Sequence, residues 1–265
     1  MNHFTMLPEG CISEIISFTT PVDTIRSSVI SREFKAAAES DVIWDKFLPS
    51  DQQNIVSRSV SPILFDNKKD LYFRLSQSPI LLDEGKMSFW LDKTNGKKCY
   101  LLSSRELTIS FSDTELFWEH TFDADSRFPE VAFLNNVDLL DIRGKIGTRE
   151  LSSGANYAAY LVFKVSERYH GLESTNAMVR FVNQENEDEA EERATIVVLA
   201  ARAPRNLKGR LPEKRTDGWL EVEIGKFYNG ESGDDNGDVE ARLLDSRPLH
   251  AKVGLIIEGI EFRPI

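Results

Sequence analysis

"YAAYLVFKV" (157–165) holds a single charged residue in nine and is rich in branched and aromatic side chains, the composition of a strand at least half buried in a sheet. Similar runs flank it. "AMVRFVN" (177–183), "ATIVVLA" (194–200), "WLEVEIGKF" (219–227), "GDVEARLL" (237–244) and "VGLIIEGIEF" (253–262) all read as strands, with turn-rich segments such as "NGESGDDNGD" between them. Short strands at this spacing, without helical crossovers, predict an antiparallel β-sandwich or jelly roll from about residue 86 to the end. The acidic run "ENEDEAEE" (185–192) joins two strands and is expected to be a solvated loop. Trp219, inside a strand, is expected in the core.

Upstream of residue 86 the apolar period changes to that of helices. Ile12, Ile15 and Ile16 share one face of a helix that Pro21 ends after Phe18. Pro21 with Asp23 starts a second helix, Ser31 caps a third, and Ser40 or Asp41 caps a fourth that stops before Pro49. Four short helices of this size rarely close a core alone, so they are expected either to rest on the remainder of the chain or to be completed by a partner. Residues 51–85 predict a helical connector, with Leu71 and Leu75 on one face and Pro79 at its exit. The expected organisation is 1–50, 51–85 and 86–265: an α-helical module, a helical linker and an all-β domain.

Composition excludes several functions. No apolar run of the 265 residues has the length of a membrane span, and "MNHFTMLPEG" lacks the basic and apolar regions of a secretory signal. Cys11 and Cys99 fall in different modules, so no disulfide framework is expected and the cytosol or nucleus fits better. A net charge of −11 argues against general nucleic-acid binding. The basic stretch "RAPRNLKGRLPEKR" (202–215), broken by Pro and Gly, reads as a solvated connection.

Catalytic signatures are missing as well. There is no C-x-x-C, G-x-S-x-G, H-E-x-x-H or Gly-rich phosphate loop, and the four histidines show no ligand spacing. "SGDDNGDVEARL" begins like a calcium loop but places Leu243 where the bidentate Glu is needed. No enzyme, cofactor or metal is expected.

"LPEGCISEIISFTTPVDTIRSSVISREFKAAAESDVIW" (7–44) resembles an F-box, with Leu7-Pro8-Glu9 at its opening, Ile12, Ile15 and Ile16 at aliphatic positions and Trp44 at its close. Ile30-Ser31-Arg32-Glu33-Phe34 departs from the family's V-C-x-x-W but keeps its spacing. From residue 86 onward, "FWLDKTNGKKCYLLSSRELTISF", "RFPEVAFLNNVDLLDIRGKI", "RTDGWLEVEIGKFYN" and "GLIIEGIEFRPI" resemble the plant phloem protein 2 (Nictaba-like) lectins. This resemblance implies a jelly-roll-like sandwich and the substrate-recognition subunit of an SCF ubiquitin ligase. Leu7, Pro8, Ile12, Ile16, Ile30 and Trp44 would then contact or support a Skp-type adaptor, and through it cullin. The β domain would bind N-acetylglucosamine- or N-acetyllactosamine-type glycans on target proteins, or recognise proteins without sugar.

The resemblance also places the sugar site. In the tobacco lectin of that family, two tryptophans form it, and they match Phe111 and Trp118 of "ELTISFSDTELFWEH" (106–120). Phe111 replaces the first and Trp118 keeps the second, while Asp238 and Asp245 match acidic residues assigned to the same site. In an extended segment Phe111 and Phe117 share a face and Trp118 points away from them. As a sugar platform Trp118 would be exposed, with the aspartates accepting hydroxyl hydrogen bonds; the alternative is that Trp118 packs in the core and both aspartates are ordinary loop or strand-end charges.

Overall fold

The computed structural model describes residues 9–200, 209–231, 237–247 and 250–265. They form two compact units. One runs to Glu84 and includes Phe89–Cys99; the other comprises Gly85–Ser88 and Tyr100–Ile265.

The first unit contains α1 (Glu9–Ser17), α2 (Pro21–Ser27), α3 (Arg32–Glu39), α4 (Asp41–Phe47), α5 (Gln52–Ser57) and α6 (Lys68–Gln77). The helix starts follow local chemistry. Thr20 Oγ1 accepts from Asp23 N at 3.1 Å with Pro21 at the first helical position, and Ser31 Oγ accepts from Phe34 N at 3.3 Å. Ile12, Ile16, Phe34, Ala37 and Ile43 form one core with Phe47 against it. Residues 51–84 do more than connect. Trp44 is fully buried, donates from Nε1 to the Ala38 carbonyl at 2.7 Å, and packs its ring 5.2 Å from Tyr72 and 5.4 Å from Phe73 of α6. The rings of α6 thus extend the apolar core that α1–α4 build.

The chain continues through β1 (Ile80–Leu82), β2 (Met87–Leu91) and β3 (Lys98–Ser103) into β4 (Thr108–Ile109), β5 (Trp118–Thr121), β6 (Val131–Leu134) and β7 (Leu140–Gly147). It then forms β8 (Ala155–His170), β9 (Thr175–Phe181), α7 (Glu187–Glu192), β10 (Thr195–Val197), β11 (Glu213–Lys214), β12 (Leu220–Asn229), β13 (Asp238–Asp245) and β14 (Val253–Pro264). In the second unit the strands named here pair antiparallel, and an isolated bridge between Val197 and Arg210 is parallel. One sheet has the order β3-β14-β8-β12-β11, with β6 also on β14 and β5 on β6; the other has the order β10-β9-β13-β7-β4. Their inner faces meet across the core. Phe181 packs edge-on against Phe227 at 6.0 Å, and Gly144 leaves room for Ile260. The architecture is a β-sandwich following N-terminal helices.

The outer faces carry dense ion pairs. On the larger sheet Arg263 lies 3.8 Å over the Tyr160 ring and bonds Glu221 and Glu261, which also hold Arg215. Lys164 sits 4.4 Å over buried Trp219, between Asp123 and Asp125. The basic stretch is therefore partly consumed: Arg215 is paired, and Arg210 bonds the carboxylate of Glu223 at 3.3 Å. Residues 201–208 lie outside the described residues. β14 is irregular between Ile257 and Gly259, which sets Glu258 into a bulge, fully buried.

The acidic run departs from its expected form. Residues 187–192 are a helix with a capping box between Asn186 and Glu189, and Ala190 is buried against Met178 and Leu244. Arginines on the sheet beneath supply the counter-charge that a reading of the run alone could not show.

Candidate functional site

The loop from Ser110 to Phe117 joins β4 of one sheet to β5 of the other, so both of its ends are anchored. Ser110 N–H donates to the Asp141 carbonyl, and Asn135 Nδ2 donates to the Glu115 carbonyl at 3.0 Å. Within the loop, Thr114 accepts from the N–H of both Phe117 (2.8 Å) and Trp118 (3.1 Å). This bonding turns the chain and breaks the alternation expected of an extended segment.

The consequence is a reversal of roles. Trp118 is 1% exposed, and its Nε1 donates to the Ser110 carbonyl at 3.1 Å. It supports the loop from inside and offers no open ring face, which corrects the expectation of an exposed stacking residue. Phe111 is 52% exposed and packs 5.5 Å from Phe117. Its φ of 66° lies in the left-handed region, a costly backbone for a bulky side chain. Leu116 is also exposed, so the apolar surface here belongs to the loop rather than to Trp118.

Beside it opens a cleft of about 620 Å³ lined by Arg105, Ser112, Asp113, Glu115, Trp118, Glu119, His120 and Glu130. Arg105 bonds Glu130 at 2.6 Å. Burial, and then the Arg105 charge, hold the His120 imidazole below its ordinary value, against the opposing Glu130 charge. Side chains of this kind offer donors and acceptors to a hydroxylated ligand.

The two aspartates do not join this site together. They occupy opposite ends of β13, seven residues apart, roughly 23 Å at 3.3 Å per residue. Asp238 is exposed. Asp245 is buried, bonded by Arg247 at 2.9 and 2.5 Å, with Lys252 Nζ at 3.3 Å. Burial pushes its carboxyl up, but the Arg247 hydrogen bonds together with the Lys252 and Arg247 charges hold it below its ordinary value. Asp245 is thus a structural counter-ion, not a free acceptor.

In the helical unit, Leu7 and Pro8 lie outside the described residues. Ile12, Ile16 and Trp44 are buried in its core, so they can only support a docking surface; Ile30 is exposed. The sequence reading missed Phe18 (81% exposed), Val29 (87% exposed) and Val42, which with Ile15 and Ile30 leave much apolar area uncovered. The available signal was an apolar residue off the buried stripe, as Phe18 is relative to Ile12 and Ile16. Among the described residues, no group of three or more His, Cys, Asp or Glu side chains stands ready to hold a metal ion.

The chain thus joins a helical unit with exposed apolar residues to an antiparallel β-sandwich with an exposed aromatic loop. The Phloem protein 2 family model matches residues 97–264. In Arabidopsis thaliana, F-box protein PP2-B10 is 40% identical over 98% of this chain and 94% of its own. Putative F-box protein PP2-B12 is 41% identical over 99% of this chain and 98% of its own. The chain belongs to the phloem protein 2 family, among its F-box members. A family 35 carbohydrate-binding module from Clostridium thermocellum is 10% identical with a TM-score of 0.34, covering 62% of this chain and 96% of that one, a likeness too slight to carry an argument.

Proposed function

We propose that the chain is the target-recognition subunit of an SCF-type ubiquitin ligase, acting in the cytoplasm or nucleus with no chemical step of its own. The helical unit docks on a Skp-type adaptor through Phe18, Val29, Ile30 and neighbouring apolar residues, and the adaptor links it to cullin. The β domain selects the target through the Phe111–Phe117 loop and its cleft, by stacking on an N-acetylglucosamine- or N-acetyllactosamine-type glycan. The observation that carries the sugar assignment is Phe111, an exposed ring held at positive φ beside a polar cleft.

Burial of Trp118 favours a second reading, in which the same loop binds a protein surface without sugar. A glycan array with the full chain and with Phe111→Ala separates the two. Retention by the parent and loss by the variant supports the lectin reading. No retention by the parent, while target proteins still co-purify, supports the second.

A further inference from the structure

We propose that α7 is a removable cover and that the arginines beneath it receive a phosphorylated side chain of a partner protein. The structure already contains the stand-in for that ligand. The Glu187 carboxylate is shared by three guanidinium groups: Oε1 takes Arg143 Nη1 at 2.8 Å and Arg180 Nη2 at 3.3 Å, and Oε2 takes Arg242 Nη1 at 3.2 Å. Glu191 adds a bond to Arg242 at 2.6 Å. Three guanidiniums converging on one oxyanion match the recognition geometry of carboxylate and phosphate groups.

Charge balance defines the ligand. The sheet face itself presents Arg143, Lys145, Arg180 and Arg242. Only two of these charges are answered on the sheet, by Asp141, which bonds Arg143 and Arg242, and by Glu240, which bonds Arg180 and Lys145. Glu187 and Glu191 answer the other two. A phosphomonoester carries about −1.5 to −2 at neutral pH, so one group replaces both glutamates while offering three acceptor oxygens.

The cover is weakly held. α7 has six residues, too few to be helical alone, and its one buried side chain is Ala190. Apart from that methyl group, its grip comes from the two glutamates and from the Glu185 carbonyl, which accepts from Arg180 Nη1 at 2.9 Å. The Glu187 side chain is 43% exposed, so the anion position lies at the surface and an incoming group can compete for it.

The test is hydrogen–deuterium exchange of the full chain over 185–192, with titrations of a glycine–serine peptide bearing one phosphoserine, its unphosphorylated twin, and inorganic phosphate. The phosphopeptide is expected to speed exchange in α7. It should bind Glu187→Gln about tenfold more tightly than the parent, because the internal competitor has lost its charge. Adding Arg143→Gln should abolish that binding; if this double variant melts early, the Glu187→Gln titration still decides. Unchanged α7 exchange in the parent, with no tighter binding by Glu187→Gln, overturns the proposal. Equal effects of inorganic phosphate and phosphopeptide overturn the assignment to a partner's side chain, and equal effects of the two peptides overturn the assignment to phosphate.

Discussion

The indole N–H of Trp118 donates to the carbonyl of Ser110 across the base of the loop that presents Phe111. The indole of the segment is thereby its scaffold, and the neighbouring phenylalanines are its surface.

Trp118→Ala should therefore cost about 3–5 kcal/mol of stability, as expected for a buried aromatic that leaves a cavity. Denaturant melts of the parent and variant measure this directly. An unchanged midpoint would mean that the ring is not part of the core.

Phe111→Gly should behave differently. Glycine adopts a φ of 66° freely, and the relief of strain offsets the lost contact with Phe117, so stability should stay within about 1 kcal/mol of the parent. Glycan retention should nevertheless disappear. A variant that keeps full retention would remove Phe111 from the site.

Surface and core positions of the helical unit should separate in the same way. Phe18→Ser with Val29→Ser should abolish co-purification with a Skp-type adaptor while the circular dichroism spectrum stays that of the parent. Ile12→Ala should cost about 2–5 kcal/mol because its side chain is fully buried. Undiminished adaptor capture by the double serine variant would place the docking surface elsewhere.

Glu258 gives a pH signature. Burial raises its carboxyl above the ordinary value of 4.5, despite the Arg127 backbone bond, with Arg127, Asp217 and Arg215 the charged groups around it. A raised folded value means that its contribution favours folding at low pH and is lost as pH rises through that value. Glu258→Gln should raise the melting temperature at pH 7, and the gain should shrink towards pH 4.5. A pH-independent difference between the two proteins would contradict this account.

Much of the fold was legible because it rests on local rules. Ser31, Pro21 and Pro49 mark helix ends through their own backbone chemistry, and the strands of the sandwich announce themselves by composition. Trp219 was correctly placed inside. The roles of Trp118 and Asp245 were not legible, since neither set of partners follows from the strand pattern: Ser110 across a turn for Trp118, and Arg247 with Lys252 beyond the end of the strand for Asp245. The helical form of 187–192 was hidden for the same reason, its counter-charges lying on β7, β9 and β13. Likewise, the aromatic rings of α6 complete the environment of Trp44 from outside the segment that resembles an F-box.

The burial of Trp44, Trp118 and Trp219 also sets what light can report. Three of the four indoles are shielded from water, so their emission should lie to the blue and shift red when the chain unfolds. Trp90 alone is partly exposed. The exposed Phe111 ring contributes almost nothing to emission at indole wavelengths. Loss of either compact unit would be plainly visible, and a tryptophan placed at 111 would add a probe on the exposed surface itself.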